Sequence, residues 1–149
     1  MTIKALPSLK EFNATPDSFM QKMALSESSG RPDAEITLED GHTFTGLYQF
    51  GDARLSDYRK ATGAKFTTDQ FKQDEALQER VAMWHFKDLE QAIDKLGEEA
   101  KVYDRDGLKA VGHLGGKSGM QKFVRSKGGY DPSDALGTSL SDYYKKFLA

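Results

Sequence analysis

The chain of 149 residues contains no cysteine. This excludes disulfide bridges and thiolate metal sites, and the fold can form in reducing or oxidising surroundings alike. Histidine is scarce as well, and His42, His85 and His113 are scattered without ligand-like spacing, so neither a metal nor any other cofactor is expected. Asp104-Arg105-Asp106-Gly107 has part of a calcium-loop pattern, but Val102 falls at the first ligand position and His113 at the last, where acids belong. An excess of one charge is also missing. A formal net charge of −2 gives no global field to attract nucleic acid or an anionic membrane. Long apolar runs are absent too: Met1-Thr2-Ile3-Lys4-Ala5-Leu6-Pro7 lacks the core of a secretory signal, and no later stretch approaches a membrane span. The expectation is a protein made in the cytoplasm without a signal peptide and without membrane insertion. Ser28 is not flanked by the strand-to-helix glycine elbow of a serine nucleophile.

What the chain does have is a core. Hydrophobic residues make up 38%, with nine Phe, six Tyr and one Trp, which suits one folded domain over 1–149. Residues 1–14 read as an irregular lead-in, with Leu6, Leu9 and Phe12 spaced to pack a single turn. Thr15-Pro16-Asp17 signals a helix start, with a capping hydroxyl, proline at the first helical position and an acid in the first turn. Gly30 is placed to stop that helix. Ala34 to Thr45 alternates around Asp40-Gly41, a hairpin signal.

Further along, the pattern predicts a helix over 52–62 closed by Gly63, a single turn capped by Thr67 or Thr68, and a long helix over 74–96 ended by Gly97. Two more short helices are expected over 107–114 and 117–126. The tail, with Leu140, Tyr143, Tyr144 and Phe147, has the spacing of an amphipathic helix docking on the body. Lys117, Lys122, Arg125 and Lys127 form a basic patch, either a solvated helix face or a surface for anionic polymer.

The stretch that carries chemistry runs from Ala24 to Phe50. Met20 and Met23 precede Glu27 by seven and four residues, so on a helix all three share one face. Two readings follow. Glu27 is buried, with its pKa raised so that it serves as a proton donor, or it sits half-exposed in the last helical turn, answered by an arginine such as Arg31.

Glu27-Ser28-Ser29-Gly30 followed by Gly46-Leu47-Tyr48-Gln49-Phe50 resembles the Glu-Ser and Gly-Leu-Met-Gln-Ile signatures of soluble lytic transglycosylases, in the lysozyme-like superfamily. Val111-Gly112-His113-Leu114-Gly115 stands loosely where that family has Ala-Tyr-Asn-Ala-Gly. The resemblance implies a mainly α, α+β lysozyme-like single domain with a small β-hairpin bordering the substrate cleft, and cleavage of peptidoglycan glycan strands.

It further implies Glu27 as catalytic acid, then base. Gln49 would bond a sugar, Tyr48 stack on one or serve as a core aromatic, Gly46 allow close approach, and Ser28 hold the helix end. His113 would replace the family's missing tyrosine by donating towards Glu27, or be a structural histidine. A hydrolysing lysozyme would need a second carboxylate, drawn from Asp33, Glu35, Glu39 and Asp40. A third reading is a non-catalytic wall-binding or particle-structural module. Without a leader, action in the periplasm or cell wall points to a phage-like or gene-transfer particle, an endolysin released with a holin, or a secretion apparatus.

Overall fold

The computed structural model describes residues 17–149, so the lead-in and the capping roles of Thr15 and Pro16 lie outside the described residues. The described chain is mainly helical, with six α-helices and a small antiparallel sheet of order β1-β2-β3. It groups into two compact units, Met1–Trp84 and His85–Ala149.

In the first unit, α1 (Ser18–Ser28) begins one residue after Asp17. Asp17 was expected inside the first turn. It is instead the cap, its carboxylate accepting the Met20 N–H at 2.8 Å and so satisfying an otherwise orphaned donor. Phe19, Met20, Met23 and Ala24 form the buried stripe. Termination comes one residue earlier than Gly30, because Ser29 already takes the left-handed conformation at φ 57° and its N–H returns to Leu25.

The hairpin forms where Asp40-Gly41 placed it. β1 (Glu35–Thr37) pairs with β2 (Thr43–Thr45), Glu35 opposite Thr45. The sequence pattern left out β3 (Phe50–Gly51), which pairs Phe50 with Thr45. Its origin is a reversal over Gly46–Gln49, with positive φ at Gly46 (91°) and Gln49 (55°), which returns the chain alongside β2.

Helix α2 (Asp52–Thr62) closes on Gly63 at φ 75°. Helix α3 (Thr68–Lys72) starts in a capping box between Thr67 and Gln70. Helix α4 (Glu75–Leu96) follows, and the boundary between the units falls within it, after Trp84. Arg54 lies over the Trp84 ring at 4.2 Å, with Tyr58 edge-on to it at 5.3 Å.

In the second unit, a short 3-10 turn (Gly97–Ala100) leads to α5 (Arg105–Arg125), capped by Asp104. The two short helices expected here are both present within this span, divided at Gly116, whose φ of 76° and ψ of 173° leave the helical region. Helix α6 (Leu140–Lys146) is set by a second capping box, Ser139 with Asp142. The N–H and hydroxyl that Asp142 accepts there hold its exposed carboxyl below the usual range. The core joins Ala92, Ile93 and Leu96 to Leu108, Val111, Met120, Phe123, Val124 and Leu140.

Candidate active site

Of the candidate catalytic and substrate-binding residues, all but His113 fall in the first unit. Glu27 is in the last turn of α1 and half-buried, whereas its neighbour Ser28 is fully buried. Ser28 Oγ donates to the Ala24 carbonyl at 3.0 Å and accepts the Arg31 N–H at 3.2 Å, so the serine does hold the helix end. Arg31 also reaches that end, its Nε donating to the Ser28 carbonyl at 3.3 Å.

The four candidate second carboxylates lie on the loop and hairpin, and all are exposed. Glu35 is paired with Lys72 at 3.2 Å. Asp40 accepts the His42 N–H at 3.0 Å and lies 2.8 Å from His42 Nδ1. The backbone bond, then the ring, hold its carboxyl below the ordinary value. Asp33 and Glu39 are solvated.

The segment Gly46–Phe50 is buried except for part of Gln49. Gln49 Nε2 donates to the carbonyls of Ala34 at 3.2 Å and Gly46 at 3.0 Å, so its N–H groups brace the turn rather than project outward. Its Oε1 is buried and has no partner among the described residues, as is Thr45 Oγ1. Tyr48 is 1% exposed and tilted against Phe50, which makes it a core aromatic and corrects the sugar-stacking role. Its hydroxyl does not surface either, but donates to Glu79 Oε1.

Beneath this segment lie two polar residues of α4. Gln78 has no exposed surface. Its Oε1 accepts the Leu47 N–H at 2.7 Å, and its Nε2 donates to the carbonyls of Pro32 and Phe71, each at 2.9 Å. Gly46 is where it must be, since a Cβ there would stand 2.7 Å from Gln78 Oε1 at a φ that disfavours any other residue. The close approach expected at Gly46 is therefore made by a side chain of this protein. Glu79 is 4% exposed, and its burial, against the hydrogen bond from Tyr48, raises its carboxyl above the ordinary value. Burial and the adjoining Glu79 likewise push the Tyr48 hydroxyl up.

Neither α4 residue was singled out from the sequence, although a signal existed. Gln78 precedes Val81 by three positions and Glu79 precedes Ala82 by three, so both stand on the apolar face of the long helix, where a polar side chain needs a partner.

His113 belongs to the second unit, where its Nδ1 lies 3.0 Å from Nε2 of buried His85. Gly112 has a physical reason to be glycine. A Cβ there would stand 2.7 Å from Leu89 Cδ2. Among the described residues no group of three or more His, Asp or Glu is arranged to hold a metal ion, and no helix is long and apolar enough to cross a membrane. No protein-family model, no curated protein and no solved structure matches the chain.

Proposed function

We propose that the protein is a lysozyme-like enzyme that cleaves the glycan strands of peptidoglycan, of the lytic transglycosylase type. The observation that supports this most is the make-up of the first unit. A helix ending in Glu27-Ser28 is followed by a small antiparallel sheet, and the Gly46–Phe50 segment is locked between that sheet and α4. Glu27 is half-buried in the last turn of that helix, short of the full burial expected for a proton donor, so the reading stands on its place in the chain order.

In this reading Glu27 gives its proton to the oxygen of the bond between N-acetylmuramic acid and N-acetylglucosamine as positive charge develops on the sugar. The bond to the leaving sugar breaks. The Glu27 carboxylate then takes the proton of the muramic C6 hydroxyl, whose oxygen closes on C1 to give a 1,6-anhydro ring. The chemistry is complete with one carboxylate. Ser28 fixes the end of the helix that bears it, and Tyr48 and Gln49 shape the neighbouring wall from within rather than by touching the sugar. Delivery to the wall through a phage-like particle, a holin or a secretion apparatus belongs to the same proposal.

The test is mass spectrometry of soluble fragments from purified peptidoglycan treated with wild type and with Glu27→Gln. Anhydro-muropeptides from wild type, reduced about 10²–10⁴-fold in the variant, are expected. Reducing ends would instead assign a hydrolase and direct attention to Asp33, Glu35, Glu39 and Asp40. Saturable binding without fragments would assign a wall-binding module.

A further inference from the structure

We infer that Gln78 and Glu79 are positioning residues of the proposed enzyme, setting the distance between the Gly46–Phe50 wall and the loop that leaves the Glu27 helix. The inference rests on the peptidoglycan-cleaving reading and extends it to two residues that never touch the substrate. Both are buried, and both spend their polar atoms on the segments that reading requires.

The Gln78 amide is a clip with two ends. One end accepts the Leu47 N–H, the second residue of the wall. The other donates to the carbonyl of Pro32, five positions beyond Glu27, and to that of Phe71 at the end of α3. Both amide hydrogens and the amide oxygen are engaged, and Nε2 also lies 3.4 Å from the Lys72 carbonyl. Gly46 closes the clip: the space that its missing Cβ leaves is occupied by the Gln78 amide and the Phe71 ring. Glu79, the next residue, holds the wall one position further on, through the Tyr48 hydroxyl. Consecutive residues of one helix thus fix consecutive residues of the wall, by main chain at Leu47 and by side chain at Tyr48.

A general-acid reaction depends steeply on such spacing. A misplacement of about 1 Å costs about 10²-fold in rate even when every reacting group is present. A group that only held the fold together would lower the unfolding midpoint and leave turnover per folded molecule intact.

The experiment compares wild type with Gln78→Met, Glu79→Leu and Glu79→Gln for kcat and KM of fragment release from purified peptidoglycan. Measurements are made at a temperature where circular dichroism shows each variant folded, with amide exchange followed at Leu47. Gln78→Met removes the clip at similar volume, and Glu79→Gln keeps an acceptor for Tyr48. The expected result is a fall in kcat of about 10²-fold for Gln78→Met and Glu79→Leu, with smaller changes in KM, faster exchange at Leu47 in Gln78→Met, and near wild-type turnover in Glu79→Gln. Wild-type kcat in folded Gln78→Met and Glu79→Leu would overturn the inference and leave the enzyme reading standing. No fragments from wild type, on walls that a muramidase digests, would remove the enzyme reading and the inference with it. Should Gln78→Met not fold, Gln78→Glu takes its place, keeping the acceptor for Leu47 while losing the donors to Pro32 and Phe71. A folded Gln78→Glu with lowered kcat supports the inference, and failure of both to fold overturns it.

Discussion

The two units hold their chain segments together by opposite means. In the first, buried polar side chains reach out to backbone: Gln78 to Leu47, Pro32 and Phe71, and Gln49 to Ala34 and Gly46. In the second, glycines let apolar groups come close. Cβ atoms at Gly107, Gly112 and Gly115 would meet Tyr144 at 2.6 Å, Leu89 at 2.7 Å and Leu140 at 2.9 Å. Burying a polar group yields little net stability and costs heavily if a partner is lost, whereas close apolar packing yields stability directly. Around the Gly46–Phe50 segment the polar arrangement sets placement, which hydrogen bonds enforce by direction and length.

The comparison is tested most severely at Gln78. Gln78→Met should cost about 2–6 kcal/mol, since the Leu47 N–H and the Pro32 carbonyl lose their partner at about 1–3 kcal/mol each, while the Phe71 carbonyl keeps the Asp74 N–H at 3.1 Å. Urea unfolding measures it, and a cost below about 1 kcal/mol would dissolve the contrast. In the second unit the corresponding test is Gly107→Ala. The added methyl must displace the Tyr144 ring and meets the Tyr144 carbonyl at 3.1 Å. The expected loss is about 1–3 kcal/mol, read from the thermal midpoint.

Glu79→Gln acts through pH. A carboxyl whose folded pKa is raised contributes stability that is full below the unfolded value, about 4.3, and is lost as pH rises through the folded value. As pH rises from the unfolded value through the folded one, wild type should therefore lose stability relative to Glu79→Gln, as paired urea titrations would show. A difference independent of pH would mean that Glu79 does not titrate differently in the folded protein. Smallest is Gly119→Ala. The position is helical, and a Cβ there meets nothing within 4 Å. A gain of about 0.5–1 kcal/mol is expected from helix propensity, measured as a higher thermal midpoint.

What the sequence made legible follows the range of the forces involved. Local chemistry was readable: Thr67 as a cap, Gly63 and Gly97 as stops, Asp40-Gly41 as a turn, and the inward face of Leu140, Tyr143 and Phe147. Strand β3 was missed because two residues have no periodicity, and their pairing depends on the positive φ of Gln49, which a glutamine does not advertise. At the candidate site, Glu27 and Ser28 were legible as a helix end. Tyr48 was legible as a core aromatic beside its sugar-stacking reading, but the inward turn of its hydroxyl was not, since its partner Glu79 lies 31 positions away. The pairing of His113 with His85 crosses 28 positions and has no local signature either. Gln78 and Glu79 could have been found by asking which polar residues interrupt the apolar face of α4.

The reach of the Gln78 amide also bears on the order in which the chain assembles. Its bonds to Leu47 and Pro32 span 31 and 46 positions. Closing such loops costs chain entropy before either bond returns anything, whereas a 22-residue helix needs only near neighbours. The helix can therefore form first and the Gly46–Phe50 segment settle onto it late. Interactions made after the rate-limiting step do not speed folding but slow escape from the folded state. The clip then acts as a latch, whose contribution is the lifetime of the closed arrangement.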